Sequence, residues 1–456
     1  MPHLKDKHER GLRSKTIAIG IDPLKALTTG IDNIAIGTSV ADAVTTGICN
    51  VALGANALGA STTGCLNIAI GELAMGAAAT TGIDNIAIGT TSADALTTGI
   101  CNIALGINAL GASTTGCLNI AIGQTALGGA DTTGSDNIAI GSTAADALTA
   151  GACNTVVGGR AAGALTTGVL NTAIGRDALN NSTTGCRNVA VGYNALGGAD
   201  TTGINNIGIG TSSGDALTTG ICNIAIGTDA LGASTTGCQN VAIGETVMGG
   251  ADVTGTKNVA LGYRAGHNAT SATSNVIIGN DAGYAVTTGE KNVALGLNAA
   301  GSLTTGCRNV AIGESAMNGG TTTGNDNIAI GRVAADALTS GICNVAIGTN
   351  ALGGSTSGCQ NVAIGNLSSG GCTLTGSNNV AVGYGGAFHL TSGNFNTFLG
   401  YNTGGKITTG SGNIGIGTNA GCSTTTQGCT INIGNGMQTT TASTTCIGGA
   451  CLMSAC

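Results

Sequence analysis

The chain has 456 residues, of which 82 are Gly and only 8% are charged, and its formal net charge is −7. This mild negative charge leaves no basic footprint for nucleic acid, and Gly, Asn and Thr interrupt the apolar runs too often for a membrane span. Glycine does not recur at every third residue, which excludes collagen, and the regular recurrence of Ile, Val and Thr favours order over disorder.

The first 15 residues differ from the rest of the chain because they are basic. They have two alternative interpretations: a solvated flexible tail, or an attachment tail that docks on an acidic capsid protein or another structural protein. No apolar segment typical of a Sec signal peptide is visible, so we expect synthesis in a cytoplasm. The basic residues of this attachment tail are Lys5, Lys7, Arg10, Arg13 and Lys15.

A five-residue cassette, first complete as Asn33-Ile34-Ala35-Ile36-Gly37, recurs 25 times between residues 16 and 434 in steps of 17 or 18. We number its Asn slot 0 and its Gly slot 4, and the two residues before the Asn are slots −2 and −1. The 18-residue steps that begin at positions 67, 188 and 309 are 121 residues apart. This second period predicts three tandem blocks, 50–170, 171–291 and 292–412, within a repeat architecture.

Each repeat predicts one coil of a β-solenoid. Slots 1 and 3, such as Ile86 and Ile88, are mostly Ile, Val or Leu, and because they share one face of a strand we expect them to form the core. Slot 4 is Gly in all 25 repeats, which predicts a corner with positive φ or with no room for a β-carbon. Slot 0 is Asn in 23 of 25, and its amide can bond the same amide one rung away.

After the cassette, a second short segment and a Thr-Thr-Gly return turn complete the coil, so we expect two short strands and two turns. The predicted fold is therefore all-β: a parallel β-roll or β-helix of about 25 coils covering residues 16–434. At about 4.8 Å per rung it would be a rod on the order of 120 Å long. Residues 435–456 are predicted to form a Cys-rich C-terminal cap.

Slot 2, between the two large apolar slots, is almost always Ala. An exposed stripe of Ala along a monomer would be a large apolar patch, so we expect it to contact other copies of the chain in a parallel homotrimer. The alternative is that Ala is simply tolerated on a strand surface. The predicted oligomer contacts are Ala35, Ala52, Ala69, Ala87, Ala104, Ala121 and Ala225.

The chain has 17 Cys, an odd number, so at least one thiol is free or bonds another molecule. Four pairs are 16 residues apart, which places the partners on adjacent rungs, one slot out of register. They would either form disulfides or remain thiols that act as small apolar fillers. These cysteines are Cys49 and Cys65, Cys101 and Cys117, Cys222 and Cys238, and Cys343 and Cys359.

No catalytic, cofactor or metal site is predicted. The four His are scattered, the acidic residues form no pair suited to acid–base chemistry, and the Cys lack the spacing and His companions of a zinc site. Acidic residues at slot 9 lie too far apart along one chain to share a calcium ion, and we expect solvated turn residues there. They are Asp42, Asp94, Asp146, Asp215 and Asp336.

The segment from Thr184 to Leu196, Thr-Gly-Cys-Arg-Asn-Val-Ala-Val-Gly-Tyr-Asn-Ala-Leu, resembles the repeats of fibre proteins from large DNA viruses and of phage tail fibres. It is also similar to the head repeats of trimeric autotransporter adhesins, whose coils form a left-handed parallel β-roll in a trimer. The resemblance covers residues 16 to about 434. An autotransporter is disfavoured because no signal peptide or membrane anchor is visible.

The resemblance and the repeats together predict a non-enzymatic fibre, spike or cementing rod of a virus particle, with attachment to a host receptor as an added role. We expect it on the virion surface or another extracellular surface. The alternative is a trimeric cell-surface adhesin that binds a host or matrix ligand. Ice binding is less favoured, because adjacent Thr residues of the turn would point apart.

Overall fold

The computed structural model describes residues 15–422, 425–448 and 450–453. Within these residues the protein consists of 27 strands joined by turns, without any helix. The chain divides into two compact units, and the boundary lies between Ile226 and Gly227. Each unit is a β-solenoid, and together they hold about 25 turns, which confirms the predicted fold class.

The strands of the first unit have three residues each and occupy slots 1 to 3. They are β1 (Ile17–Ile19), β2 (Ile34–Ile36), β3 (Val51–Leu53), β4 (Ile68–Ile70), β5 (Ile86–Ile88), β6 (Ile103–Leu105), β7 (Ile120–Ile122), β8 (Ile138–Ile140), β9 (Thr155–Val157), β10 (Thr172–Ile174), β11 (Val189–Val191), β12 (Ile207–Ile209) and β13 (Ile224–Ile226).

The second unit continues the same pattern and ends with two longer strands. Its strands are β14 (Val241–Ile243), β15 (Val259–Leu261), β16 (Val276–Ile278), β17 (Val293–Leu295), β18 (Val310–Ile312), β19 (Ile328–Ile330), β20 (Val345–Ile347), β21 (Val362–Ile364), β22 (Val380–Val382), β23 (Thr397–Leu399), β24 (Ile414–Ile416), β25 (Ile431–Ile433), β26 (Thr444–Ile447) and β27 (Ala450–Met453).

Within each unit the strands pair in parallel and in register, so that every slot lies beside the same slot of the next rung. Ala35 pairs with Ala52, and Ala52 pairs with Ala69. The last strand differs, because β27 pairs antiparallel with β26. Cys446, on β26, takes part in a disulfide.

A ladder of buried Asn side chains holds the rungs of each unit together, as the slot 0 pattern predicted. The backbone N–H and the side-chain amide of Asn102 both donate to Oδ1 of Asn85, at 3.0 Å. The same amide also donates to the carbonyl oxygen of Gly116 at 2.8 Å. In the second unit the ladder ends at Thr430, whose hydroxyl donates to Oδ1 of Asn413 at 2.7 Å. Each Asn therefore satisfies backbone groups that a dry coil would otherwise leave unpaired.

The slot 4 glycines form the corner after each strand, and both expected reasons for glycine hold there. Gly89 has a φ of 135°, and a β-carbon on it would lie 2.5 Å from the carbonyl oxygen of Gly106 on the next rung. Any side chain at this slot would separate neighbouring rungs.

The second segment of each coil is not a strand, contrary to our prediction. Asn56 at slot 6 and Leu58 at slot 8 have φ values of 54° and 51°, so the chain alternates into the left-handed region and cannot extend. We call these stacked turns the turn wall. Backbone hydrogen bonds still join its rungs; for example, the N–H of Leu58 donates to the carbonyl oxygen of Ala74 at 3.0 Å.

The two faces of the strand are the reverse of what we predicted. Ala87 at slot 2 is 0% exposed, whereas Ile88 at slot 3 is 37% exposed. The interior is narrow, and a large side chain of the turn wall fills it. In some coils this side chain is at slot 8, as with Leu58, and in others it is at slot 11, as with Leu96; both are fully buried. A β-carbon on Gly208 at slot 2 would lie 2.8 Å from Cγ of Leu196, so slot 2 faces slot 8 across the coil. Ala at slot 2 therefore leaves the space that the Leu of the other wall occupies.

Candidate assembly face

The predicted oligomer contacts at slot 2 are wrong, because these alanines lie inside the coil of their own chain. Each is between 0% and 1% exposed, so no second chain can reach it while the coil is folded. The alanines concerned are Ala35, Ala52, Ala69, Ala87, Ala104, Ala121 and Ala225.

The strand side chains that point outward are mostly large and apolar, with Thr at slot 1 of β9, β10 and β23. They occupy slots 1 and 3, and because the strands pair in register they form two parallel columns along each unit. We call this surface the Ile/Val face. Its most exposed members are Ile17, Ile19, Ile36, Ile88, Ile140, Ile174 and Ile209 in the first unit, and Val259, Leu261, Val276, Leu295, Ile328, Ile364, Leu399, Ile414 and Ile416 in the second.

Apolar residues before the Asn add to the exposed apolar surface. Slots −2 and −1, which precede the strand, are also exposed; Leu66 at slot −1, for example, is 50% exposed. Sequence reasoning missed these residues, although their recurrence beside the cassette was a visible signal. They are Ile31, Ile48, Ile83, Ile100, Ile221 and Ile342 at slot −2, and Leu66, Leu118, Leu170 and Phe395 at slot −1.

Charged residues occur at slot −1 beside this surface. Arg308 donates to both carboxylate oxygens of Asp326 on the next rung, at 2.6 and 2.8 Å. This hydrogen bond lowers the pKa of the Asp326 carboxyl and raises the pKa of the Arg308 guanidinium. An apolar surface edged by such polar groups is the arrangement found at protein interfaces.

All eight cysteines of the predicted pairs are free thiols in the structure, which therefore contains none of the four possible disulfides. The sulfur of Cys65 accepts from the backbone N–H of Ile48 at 3.4 Å and lies 3.3 Å from the carbonyl oxygen of Thr63. It therefore lies over the preceding rung's backbone, while Cys49 is exposed with a φ of 57°. They are not buried fillers either, since each is exposed or half-buried. The eight are Cys49, Cys65, Cys101, Cys117, Cys222, Cys238, Cys343 and Cys359.

Of the basic attachment tail, Lys15 alone is within the described residues; Lys5, Lys7, Arg10 and Arg13 lie outside them. Lys15 is exposed, and its backbone N–H donates to Oδ1 of Asp32 at 3.1 Å. The structure thus connects the end of the tail to the first rungs of the solenoid.

The slot 9 aspartates are not all solvated, as we had expected. Burial raises the pKa of the Asp146 and Asp336 carboxyls above their ordinary value, although backbone hydrogen bonds partly oppose this. One carboxylate oxygen of Asp146 is buried and accepts no hydrogen bond. Among the described residues, no group of three or more His, Cys, Asp or Glu side chains is placed to hold a metal ion.

The part of the chain that the structure describes also contains no helix with the length and apolar character needed to cross a membrane. Comparison with protein-family models gives no match to this chain, and comparison with curated proteins gives none either.

Proposed function

We propose that this chain is a non-enzymatic structural protein that assembles through its Ile/Val face into a parallel homotrimer. In this proposal the trimer serves as a fibre, spike or cementing rod on the surface of a virus particle. The observation that carries the proposal is the pair of exposed apolar columns at slots 1 and 3.

A continuous apolar stripe is unfavourable on an isolated soluble chain, because each exposed Ile or Val side chain loses the free energy of burial. Fully burying one such side chain contributes about 1.5–3 kcal/mol. Association would bury the rest of each half-exposed side chain on many rungs at once. Exposed apolar patches larger than a few hundred Å² usually mark interaction sites.

The register of the strands supports a parallel arrangement. The outward side chains of some neighbouring rungs differ, for example Ile138 and Ile140 on β8 and Thr155 and Val157 on β9. Identical chains aligned in parallel bring the same rungs to the same height, so that each rung contacts the identical rung of the neighbouring chain. An antiparallel pair would place unlike rungs together.

The basic tail suits attachment of the fibre to an acidic structural protein, since its charge is opposite to that of the whole chain. Deleting residues 1–15 should leave the solenoid folded and reduce the number of copies on the particle. Particles that keep their full copy number after the deletion would contradict this role of the tail.

The location is tested by immunogold electron microscopy, with antibodies against the solenoid applied to purified virus particles and to intact cells from the same culture. The proposal predicts gold on the particle surface. Gold confined to the cell surface would overturn the viral role and support the alternative, a trimeric adhesin.

A further inference from the structure

The turn wall carries two surface grooves at corresponding places in two of the tandem blocks. The groove in the first unit has a volume of about 320 Å³, and the groove in the second unit about 270 Å³. Thr143 of the first groove and Arg264 of the second are 121 residues apart, as are Asn181 and Ser302. The same fold position therefore forms a concave surface twice. The first groove is at the small end of the size range of ligand sites, roughly 300–1,000 Å³, and the second is slightly below it.

Both grooves are formed by slots 6, 9 and 10 of consecutive rungs. Slot 8 of the same wall faces slot 2 across the coil interior, as the proximity of Gly208 to Leu196 shows. The grooves therefore lie on the opposite wall from the Ile/Val face. Assembly through that face leaves them open to solvent.

In the first groove the polar groups are fixed before any ligand arrives. Arg160 donates to the two carboxylate oxygens of Asp177 at 2.7 and 2.8 Å, and the Asp177 side chain is only 7% exposed. Asp146 also lines the groove, and its buried Oδ1 packs against the preceding rung, 2.5 Å from where a β-carbon on Gly129 would lie. A β-carbon on Gly163 would lie 2.7 Å from Oδ1 of Asn180, so the glycine leaves room for that amide.

The second groove adds aromatic rings to the same frame. Arg264 is held by Asp281 at 2.7 Å, and its guanidinium carbon lies 5.0 Å from the centre of the Tyr284 ring. The His267 ring stacks on Tyr284 with a centroid distance of 5.2 Å and an interplanar angle of 12°. Asn298 and Asn318 contribute amides to the lining.

We propose that these grooves bind neutral sugar units of a glycan. Sugar hydroxyls both donate and accept hydrogen bonds, which suits fixed carboxylates and amides, and the apolar face of a sugar ring suits an aromatic side chain. The guanidinium groups are already paired with carboxylates, so the grooves carry little net positive charge with which to hold an anion. The ligand chemistry is therefore neutral and polyhydroxylated rather than phosphate or an acidic sugar.

This inference rests on a single chain, so it stands or falls separately from the proposed trimer and the viral location. The experiment applies the full-length protein to an array of neutral hexose-terminated glycans and sialic-acid-terminated glycans. We expect binding to neutral glycans, and at least a tenfold loss of affinity in the double variant Asn181→Ala/Tyr284→Ala. The control is Tyr401→Ala, which removes an exposed tyrosine outside both grooves.

Thermal unfolding of each variant shows whether the fold is kept, and Ser302→Ala provides a milder change in the second groove. With the fold intact, three results would overturn the proposal: no binding to any neutral glycan, binding to sialylated glycans alone, or equal affinity in the wild type and the double variant.

Discussion

The ring of Phe398, at slot 2, occupies the space that a side chain on Gly404, at slot 8, would need. An ideal β-carbon on Gly404 would lie 2.5 Å from Cε1 of that ring. Elsewhere the sizes are reversed, with Ala52 at slot 2 and Leu58 at slot 8. The two slots thus share one internal volume.

This relationship predicts the effect of exchanging the sizes. Phe398→Ala alone should cost about 3–5 kcal/mol because it leaves a cavity, and Gly404→Leu alone should overpack the same space at a cost of about 1–3 kcal/mol. The double variant should be more stable than the sum of the single effects implies, which a double-mutant cycle of urea unfolding measures.

A matched control separates the clash from backbone strain. Gly436 has a similar φ of 67°, yet a β-carbon on it would meet nothing within 4 Å. Gly436→Ala should therefore cost only the strain of a left-handed residue, and Gly404→Ala should cost more. Equal costs for the two would contradict the packing account.

Neighbouring residues on the two faces of β5 should respond differently to a charge. Ala87→Glu places a carboxylate in the closed coil, and we expect the first unit to lose several kcal/mol or to unfold. Ile88→Glu places it on the outside, so the free energy of unfolding of the dissociated chain should fall by only about 1–2 kcal/mol, from the part of the Ile88 side chain that the coil covers. If melting experiments show that Ile88→Glu destabilises the protein more than Ala87→Glu does, slots 1 and 3 face the core, as we first predicted.

The Asn ladder should be sensitive to the loss of a single amide. Asn102→Ala leaves the carbonyl of Gly116 without its donor and the N–H of Asn119 without its acceptor. Each buried polar group left without a hydrogen-bond partner lowers the free energy of unfolding by about 1–3 kcal/mol. Asn181→Ala, on the surface of the same unit, is the control and should stay within about 0.5 kcal/mol. Chemical denaturation of both variants gives the comparison.

Two aspartates should give opposite pH dependences. The folded-state pKa of Asp326 is lowered by Arg308, so its contribution to stability is present above the unfolded pKa, near 3.9, and is lost as the pH falls through the folded value. The folded-state pKa of Asp146 is raised by burial, so its ionised carboxyl weakens the fold progressively as the pH rises above the unfolded value.

Accordingly, Asp326→Asn should be less stable than the wild type at neutral pH, and Asp146→Asn should be more stable. Both differences should disappear well below the ordinary carboxyl pKa. Melting temperatures of the two variants and the wild type across an acid-to-neutral series test this, and shifts of the same sign would contradict it.

The sequence alone predicted the fold class, the rung length, the glycine corner at slot 4 and the Asn ladder at slot 0. Gly at slot 4 and Asn at slot 0 are required by backbone geometry and by unpaired backbone groups, and these requirements depend on residue type. Which face of the strand points into the coil could not be predicted from residue type in the same way. A period of two shows that slots 1 and 3 share a face, but whether that face is inside depends on the volume of the coil.

The sequence does contain one indication that slot 2 points into the coil. The unusually large slot 2 residues Ile277 and Phe398 coincide with Gly283 and Gly404 at slot 8, where most coils have a larger residue. The turn wall was less accessible to prediction, because Leu58 adopts a positive φ that its residue type disfavours. The first groove needs three stacked rungs and the second needs four, so no single repeat shows them.

Native mass spectrometry of the full-length protein tests whether the chain assembles through the Ile/Val face. The wild type should have three times the 43.4 kDa mass of one chain. The triple variant Ile88→Glu/Ile140→Glu/Ile174→Glu should be a folded monomer, whereas Thr98→Glu/Thr115→Glu/Thr167→Glu, on the exposed return turn, should remain trimeric. A monomeric wild type, or a Glu-substituted Ile/Val face that still forms trimers, would rule out assembly through this face.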